Sequence, residues 1–385
     1  MKTSISPISK LPEVGTTIFT VMSKMAAEHN AINLSQGFPN FPLDPKLVEL
    51  SSEYMRKGMN QYSPMEGVIS LREGIAEKHE KLYNIQYSPE TEVNITAGAT
   101  QAIYTIISAM IHIGDEVIII EPAYDCYEPA ITVNGGITKR VQMNAEDFSV
   151  DWKELEALIS DKTKMIIINT PHNPTGTILR KEDLIKLEQV LEKHPNIVLL
   201  SDEVYEHIIF DGEEHQSVCL YPNLAEKAFI VYSFGKTFHA TGWKLGYVLA
   251  PEGLMVEFRK VHQFNVFSVN TPLQYAIGDY IRDENNYLSL GSFYQAKRDL
   301  FLDAISATKF EVIPTKGTYF STLKYHHYSD KGDVEFAEEL TKKHGVASVP
   351  ISVFFGDKRD NKVLRFCFAK TPDLIESAVE KLLTL

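Results

Sequence analysis

The sequence predicts an α/β fold with two parts: a large domain built on a mostly parallel sheet covered by helices on both faces, and a smaller α+β domain. Three observations point there. Through the middle of the chain, short and nearly continuous apolar runs alternate with helical patterns, as in a parallel sheet buried on both sides. Roughly the last hundred residues change pattern, with a long helical stretch followed by short strands and helices of their own. The length of 385 residues and a hydrophobic content of 44% are ample for a substantial core.

In chain order, Val93-Asn94-Ile95-Thr96 reads as a strand, followed by Gly98 and a helical stretch from about Ala99 to Ile111. Gly114-Asp115 turns the chain into a strand at Val117–Ile120. Further strands are expected at Met165–Asn169, Ile197–Asp202, Phe229–Ser233 and Leu245–Ala250. Between two of them, Leu184, Leu187 and Leu191, at i, i+3 and i+7, keep one helical face apolar. The last part predicts a helix from about Asn286 to Thr308, strands at Phe310–Pro314 and Tyr319–Lys324, and a helix at Val334–His344. Strands at Val346–Val349 and Val363–Phe368 and a helix after Thr371-Pro372-Asp373 complete it. The expected division is a large domain over 47–283 and a small domain over 1–46 and 284–385.

Charge and cysteine usage narrow the function. With 38 Lys and Arg against 51 Asp and Glu, the formal charge of −13 argues against a phosphate-tracking nucleic-acid binder or a polybasic membrane anchor. A small anionic ligand is not excluded, because its site is decided locally. Cys126, Cys219 and Cys367 are odd in number and widely spaced, which suits a reducing interior and no disulfide framework. No cysteine spacing is of metal-binding type. His326 and His327 are adjacent, and neighbours in an extended chain point to opposite faces, so no shared metal is expected. The start, Met1-Lys2-Thr3-Ser4-Ile5-Ser6-Pro7, lacks the apolar stretch of a signal peptide, and no window approaches 18 consecutive apolar residues. A soluble cytoplasmic protein is expected.

Several short segments carry chemistry. Thr96-Ala97-Gly98-Ala99-Thr100-Gln101 ends a strand in small residues and opens a helix, whose first N–H groups and dipole suit a phosphate. Asn169-Thr170-Pro171-His172-Asn173-Pro174-Thr175-Gly176 ends another strand. Asp202 follows 29 residues after Asn173, Lys236 lies 34 beyond Asp202, and Lys244 lies 8 further on. In isolation each has a plainer explanation: a strand–turn–helix connection, a helix-capping aspartate, solvated surface lysines. Gly235-Lys236-Thr237 also resembles the end of a P-loop. That motif needs a glycine five positions before Gly235, where Ile230 stands, so a P-loop NTPase is rejected.

Taken in order, the pieces resemble the class I/II aminotransferases, the fold-type-I enzymes dependent on pyridoxal 5'-phosphate. The resemblance covers essentially the whole chain. It rests on Ser35-Gln36-Gly37-Phe38-Pro39, Asn60-Gln61-Tyr62, Asn173-Pro174-Thr175-Gly176, Ser233-Phe234-Gly235-Lys236 and Leu364-Arg365-Phe366-Cys367-Phe368. With Gly15-Thr16-Thr17-Ile18-Phe19-Thr20 included, the sequence is most similar to the bacterial methionine aminotransferase subgroup, related to kynurenine and glutamine-type transaminases.

The resemblance implies a role for each residue. Lys236 matches the Schiff-base lysine and proton carrier, and Lys244 nearby would help lower its pKa. Asp202 would pair with the pyridine nitrogen, Asn173 and Tyr205 with the phenolic oxygen, and Tyr124 would stack on the ring. Ala99, Thr100, Ser233 and Lys244 would hold the phosphate, joined by Tyr62 from a partner subunit. Lys244 stands where many relatives carry Arg, a point charge in place of a bidentate fork. Arg365 matches the α-carboxylate receptor, completed by Asn173 and the Gly37 backbone.

Dicarboxylate-specific relatives add an arginine from the partner, whereas Phe264–Pro272 here contains no Arg or Lys. Ile18, Phe19, Phe38 and Phe267 would wall a pocket for apolar or aromatic side chains, methionine favoured. The implied protein is a homodimer with shared sites, converting an amino acid and a 2-oxo acid by ping-pong half-reactions, with no metal. Two rivals share the scaffold: a cysteine-conjugate C–S β-lyase, and a non-catalytic pyridoxal-phosphate-binding regulator. The regulator would carry a DNA-binding module ahead of the large domain, and the roughly 45 residues there show no helix-turn-helix pattern.

Overall fold

The computed structural model describes residues 6–385. Met1–Ile5, with that part of the expected small domain and of the start expected to lack a signal peptide, lie outside the described residues. The N-terminal part supplies helices Ile18–Glu28, Pro45–Arg56 and Ile69–Tyr83 and the two-residue strand β1 (Ile32–Asn33).

Seven strands then build one sheet: β2 (Val93–Thr96), β3 (Glu116–Glu121), β4 (Ile137–Gln142), β5 (Thr163–Asn169), β6 (Val198–Asp202), β7 (Ala228–Ser233) and β8 (Gly246–Leu249). Their order is β2-β8-β7-β6-β5-β3-β4. Strands β3 to β7 run parallel, and β8 runs antiparallel to both of its neighbours. Alternation along each strand divides the apolar residues between the two faces. Ile118, Ile120, Ile166 and Ile168 pack into one core layer, and Val117, Ile119, Met165 and Ile167 into the other. Helix Lys181–Lys193 buries Leu184, Leu187 and Leu191 in the first layer. Such a sheet gathers its connecting loops at the carboxyl ends of the strands, where ligands bind.

Strand β4 was not among the expected ones. It lies at the sheet edge, and only Val141 of its six residues is fully buried. Lys139 and Arg140 are partly exposed and pair with Glu116 and Glu121. Its charges conceal the apolar signal that marks the central strands.

The C-terminal part forms a four-stranded antiparallel sheet in the order β12-β13-β10-β9, from β9 (Glu311–Ile313), β10 (Phe320–Lys324), β12 (Val349–Pro350) and β13 (Val363–Cys367). The strand expected at Val346–Val349 is divided at Ser348. Its first half, β11 (Val346–Ala347), pairs in parallel with β1 and ties the N-terminal segment to the C-terminal part. The long helix expected over Asn286–Thr308 breaks at Ser289 into Asn285–Leu288 and Leu290–Ile305.

His326 and His327 do not lie in extended chain, contrary to expectation. The chain after β10 is a turn, closed by Tyr328 N donating to Tyr325 O at 2.8 Å, so the two side chains do not alternate across a strand. Among the described residues, no helix is long and apolar enough to cross a membrane.

Candidate active site

The carboxyl ends of β5, β6 and β7 and the first turn of helix Ala99–Met110 enclose one cleft, lined by Ala99, Thr100, Tyr124, Asn173, Asp202, Tyr205, Ser233, Lys236 and Lys244. Nine of the ten residues expected at the cofactor therefore meet there. Tyr62 does not: it is 81% exposed, edge-on to Phe267 with ring centroids 5.1 Å apart, and lies outside the cleft.

One end of the cleft is a cationic cradle. Gly98 precedes the helix with φ +83°, a conformation open to glycine, and no side chain caps the helix start. A Cβ on Gly98 would sit 3.4 Å from Lys244 Nζ, so the lysine lies directly beside the open first turn. Gly246 permits a second close approach, since a Cβ there would come within 2.5 Å of Tyr232 O and 3.2 Å of Ala99 N. Helix dipole, free N–H groups and lysine together suit a phosphate dianion.

At the centre, Lys236 follows β7. Its Nζ donates to Tyr319 Oη at 3.0 Å and to Gly37 O at 3.4 Å, and Tyr319 donates to Gly37 O at 2.6 Å. Burial pushes the Lys236 ammonium down to about 8, with Arg365 and Lys244 pushing the same way. Asp202 ends β6 and accepts from the Tyr127 hydroxyl at 2.6 Å, while its backbone carbonyl accepts from Asn169 Nδ2 at 2.8 Å. Burial pushes the Asp202 carboxyl up to about 6. Tyr205 is buried with its ring edge-on to Tyr319, and burial raises its phenol.

At the far end, Arg365 on β13 is 1% exposed. Its Nη1 donates to Asn173 Oδ1 at 2.7 Å and its Nη2 to Ser35 O at 3.1 Å, while its Nε is buried without a partner. The guanidinium lies 3.9 Å from the Phe320 ring centroid and 5.1 Å from that of Phe19. A buried cation with neutral partners and an orphaned N–H is poised for an incoming carboxylate.

The expected side-chain wall is less complete. Phe19 reaches Arg365, and Ile18 is half-buried at the start of the first helix. Phe38 is 45% exposed, and Phe267, at 61%, stands with Tyr62 on the outer surface.

Three contributors escaped the sequence reading. Asn169 had a legible signal, because it ends β5 directly opposite Asp202 in register and secures the Asn173 backbone through Oδ1. Tyr127 and Tyr319 had none, since each reaches its partner only through the fold.

The fold, with lysine, aspartate and arginine converging at the carboxyl edge of a parallel sheet, defines a fold-type-I enzyme. The family model for aminotransferase class I and II matches residues 29–382. A methionine aminotransferase of Escherichia coli is 48% identical over 98% of this chain and 97% of its own. A kynurenine–oxoglutarate transaminase of Dictyostelium discoideum is 34% identical over 100% of this chain and 98% of its own. An Escherichia coli structure whose reactivity identified a methionine aminotransferase function matches with a TM-score of 0.97 at 48% identity, covering 99% of this chain and 100% of that one. The chain belongs to the aminotransferase class I and II family, and it is a transaminase.

Proposed function

We propose that this transaminase works with pyridoxal 5'-phosphate in the cleft. It would move the amino group of a neutral apolar or aromatic L-amino acid, methionine foremost, to a 2-oxo acid in ping-pong half-reactions. The observation that carries the reading is the enclosed Lys236 amine, set between an anion cradle, the Asp202 carboxylate and a buried Arg365 whose guanidinium has only neutral partners and an unpartnered Nε. When bound, the cofactor supplies an aldehyde that captures amines and a ring that withdraws electrons from the amino acid's α-carbon.

The chain's own residues would do the rest. Ala99 and Thr100 amides, Ser233 and Lys244 hold the phosphate. Asp202, kept in place by Tyr127 and Asn169, faces the ring nitrogen and favours its protonated form. Asn173 and Tyr205 bond the phenolic oxygen, and Tyr124 covers the ring. Arg365, with Asn173 and the Gly37 backbone, orients the substrate carboxylate. Lys236, with an ammonium pKa of about 8, can hold or release a proton near neutral pH and carry it to and from the α-carbon.

Methionine is favoured by the 48% identity to the Escherichia coli methionine aminotransferase and by the absence of Arg or Lys in Phe264–Pro272. Tyr62 and Phe267, exposed as a pair, are suited to complete a partner's site in a cytoplasmic homodimer. The division into 47–283 and the two flanking segments belongs to this proposal. The test is kcat/KM across amino donors with one fixed acceptor. Methionine, leucine and phenylalanine should each exceed aspartate, and aspartate outranking them would sink the specificity.

A further inference from the structure

Away from the cleft, the C-terminal sheet carries a cluster with no part in transamination. Glu311 begins β9, the edge strand, and lies across from Lys324 at the end of β10. The chain then turns at Tyr325–Tyr328, which brings His326 and His327 back beside Glu311. His326 Nε2 lies 3.8 Å from Glu311 Oε2, and one donor atom from each of the three residues lies within 4.8 Å of the others. We propose that Glu311, His326 and His327 form a surface site for a divalent transition cation of the zinc type.

Ligand chemistry sets the class of ion. Two imidazoles and one carboxylate suit zinc, copper or nickel, whereas magnesium and calcium take oxygen donors. Metal–ligand bonds of about 2.1 Å in a tetrahedral site put donors about 3.4 Å apart, a contraction that rotation of exposed side chains supplies. The backbone beneath is held from three sides. Tyr325 is buried and its N–H donates to Lys362 O at 3.1 Å. The Tyr328 hydroxyl accepts from Lys309 N at 2.7 Å, and its ring packs on Phe310 with centroids 4.8 Å apart.

Among the described residues, the lysine that competes for Glu311 is Lys324, 3.5 Å from its Oε1. It is held at 2.6 Å by Glu146, and Glu311 Oε2 faces His326. Three protein ligands leave a coordination position for water. A bound ion would fasten the edge strand to the turn, so it stabilises the folded protein in proportion to its occupancy.

Calorimetric titration of the holoenzyme with zinc chloride tests this, comparing wild type with H326A/H327A and E311Q. Wild type should bind zinc saturably and melt at higher temperature in its presence. Both variants should bind at least about tenfold more weakly and lose the thermal shift. Their metal-free melting temperature and transaminase activity should match wild type, because these side chains are exposed and far from the chemistry in role. No saturable binding by wild type, or equal affinity in H326A/H327A, would overturn the proposal.

Discussion

The segment Asp202–His207 has two sides that meet opposite demands. Toward the cleft it sends Asp202 and Tyr205, beside Lys236 and an Arg365 whose Nε has no partner. Toward the core it sends Glu203 and Glu206. Glu203, fully buried, accepts from Ser201 Oγ at 2.9 Å, Val218 N at 2.9 Å, Tyr232 Oη at 3.1 Å and His215 Nε2 at 2.9 Å. Glu206 pairs with buried Lys78 and accepts from the Tyr83 hydroxyl at 3.2 Å. Burial alone would raise the Glu206 carboxyl, but His207 and Lys78 beside it hold it well below the usual range. On the core side both carboxylates are fully partnered and fix the loop, and only the imidazole atoms His207 Nε2 and His215 Nδ1 are left without a hydrogen bond. The cleft side keeps groups in reserve for a ligand, at a cost in stability before that ligand arrives.

The contrast is broken most severely from the core side. E206Q would leave Lys78 buried without its carboxylate and should lower unfolding free energy by about 3–5 kcal/mol, measured by denaturant titration. K78M/E206L, which removes both charges, should cost less than E206Q alone. An equal or larger loss in the double variant would show that the pair does not act as a unit.

On the cleft side the sign reverses. The Asp202 pKa of about 6 lies above its ordinary 3.8, so ionising it weighs against folding at neutral pH. In cofactor-free protein at pH 7, D202N should therefore raise stability by roughly 1–3 kcal/mol. The gain should fade as pH falls from about 6 toward 3.8 and be gone below that, where the carboxyl is protonated in both the folded and the unfolded state. The same variant should lose about 100-fold in kcat, as expected for a lost charged hydrogen bond. Unchanged activity with unchanged stability would remove Asp202 from its assigned place.

The smallest effect belongs to Y127F, which removes one donor from Asp202. It should lower kcat by about tenfold or less, close to one ordinary hydrogen bond, with little change in KM for the amino donor. A rise in KM with kcat preserved would assign Tyr127 to substrate binding instead.

Central strands were legible in the sequence because a strand buried on both faces must be apolar throughout. Ile166–Ile168 and Leu199–Leu200 leave little choice. The edge strand Ile137–Gln142 was hidden for the converse reason: it is only partly covered and carries Lys139 and Arg140. The cleft residues at strand ends could be found, since Asp202, Ser233 and Lys236 each follow an apolar run. Tyr127 and Tyr319 could not, because their partners lie 75 and 83 positions away along the chain. The local conformation at His326 and His327 was not legible, because alternation across a strand holds only in extended chain, and theirs turns.

The central claim is that Lys236 is the residue on which the transaminase carries its cofactor. Borohydride reduction of protein incubated with pyridoxal phosphate, followed by peptide mass mapping, tests it directly. The account predicts a single phosphopyridoxyl modification on the peptide containing Lys236, absent from K236A. Modification at another lysine, or equal labelling of wild type and K236A, would contradict it.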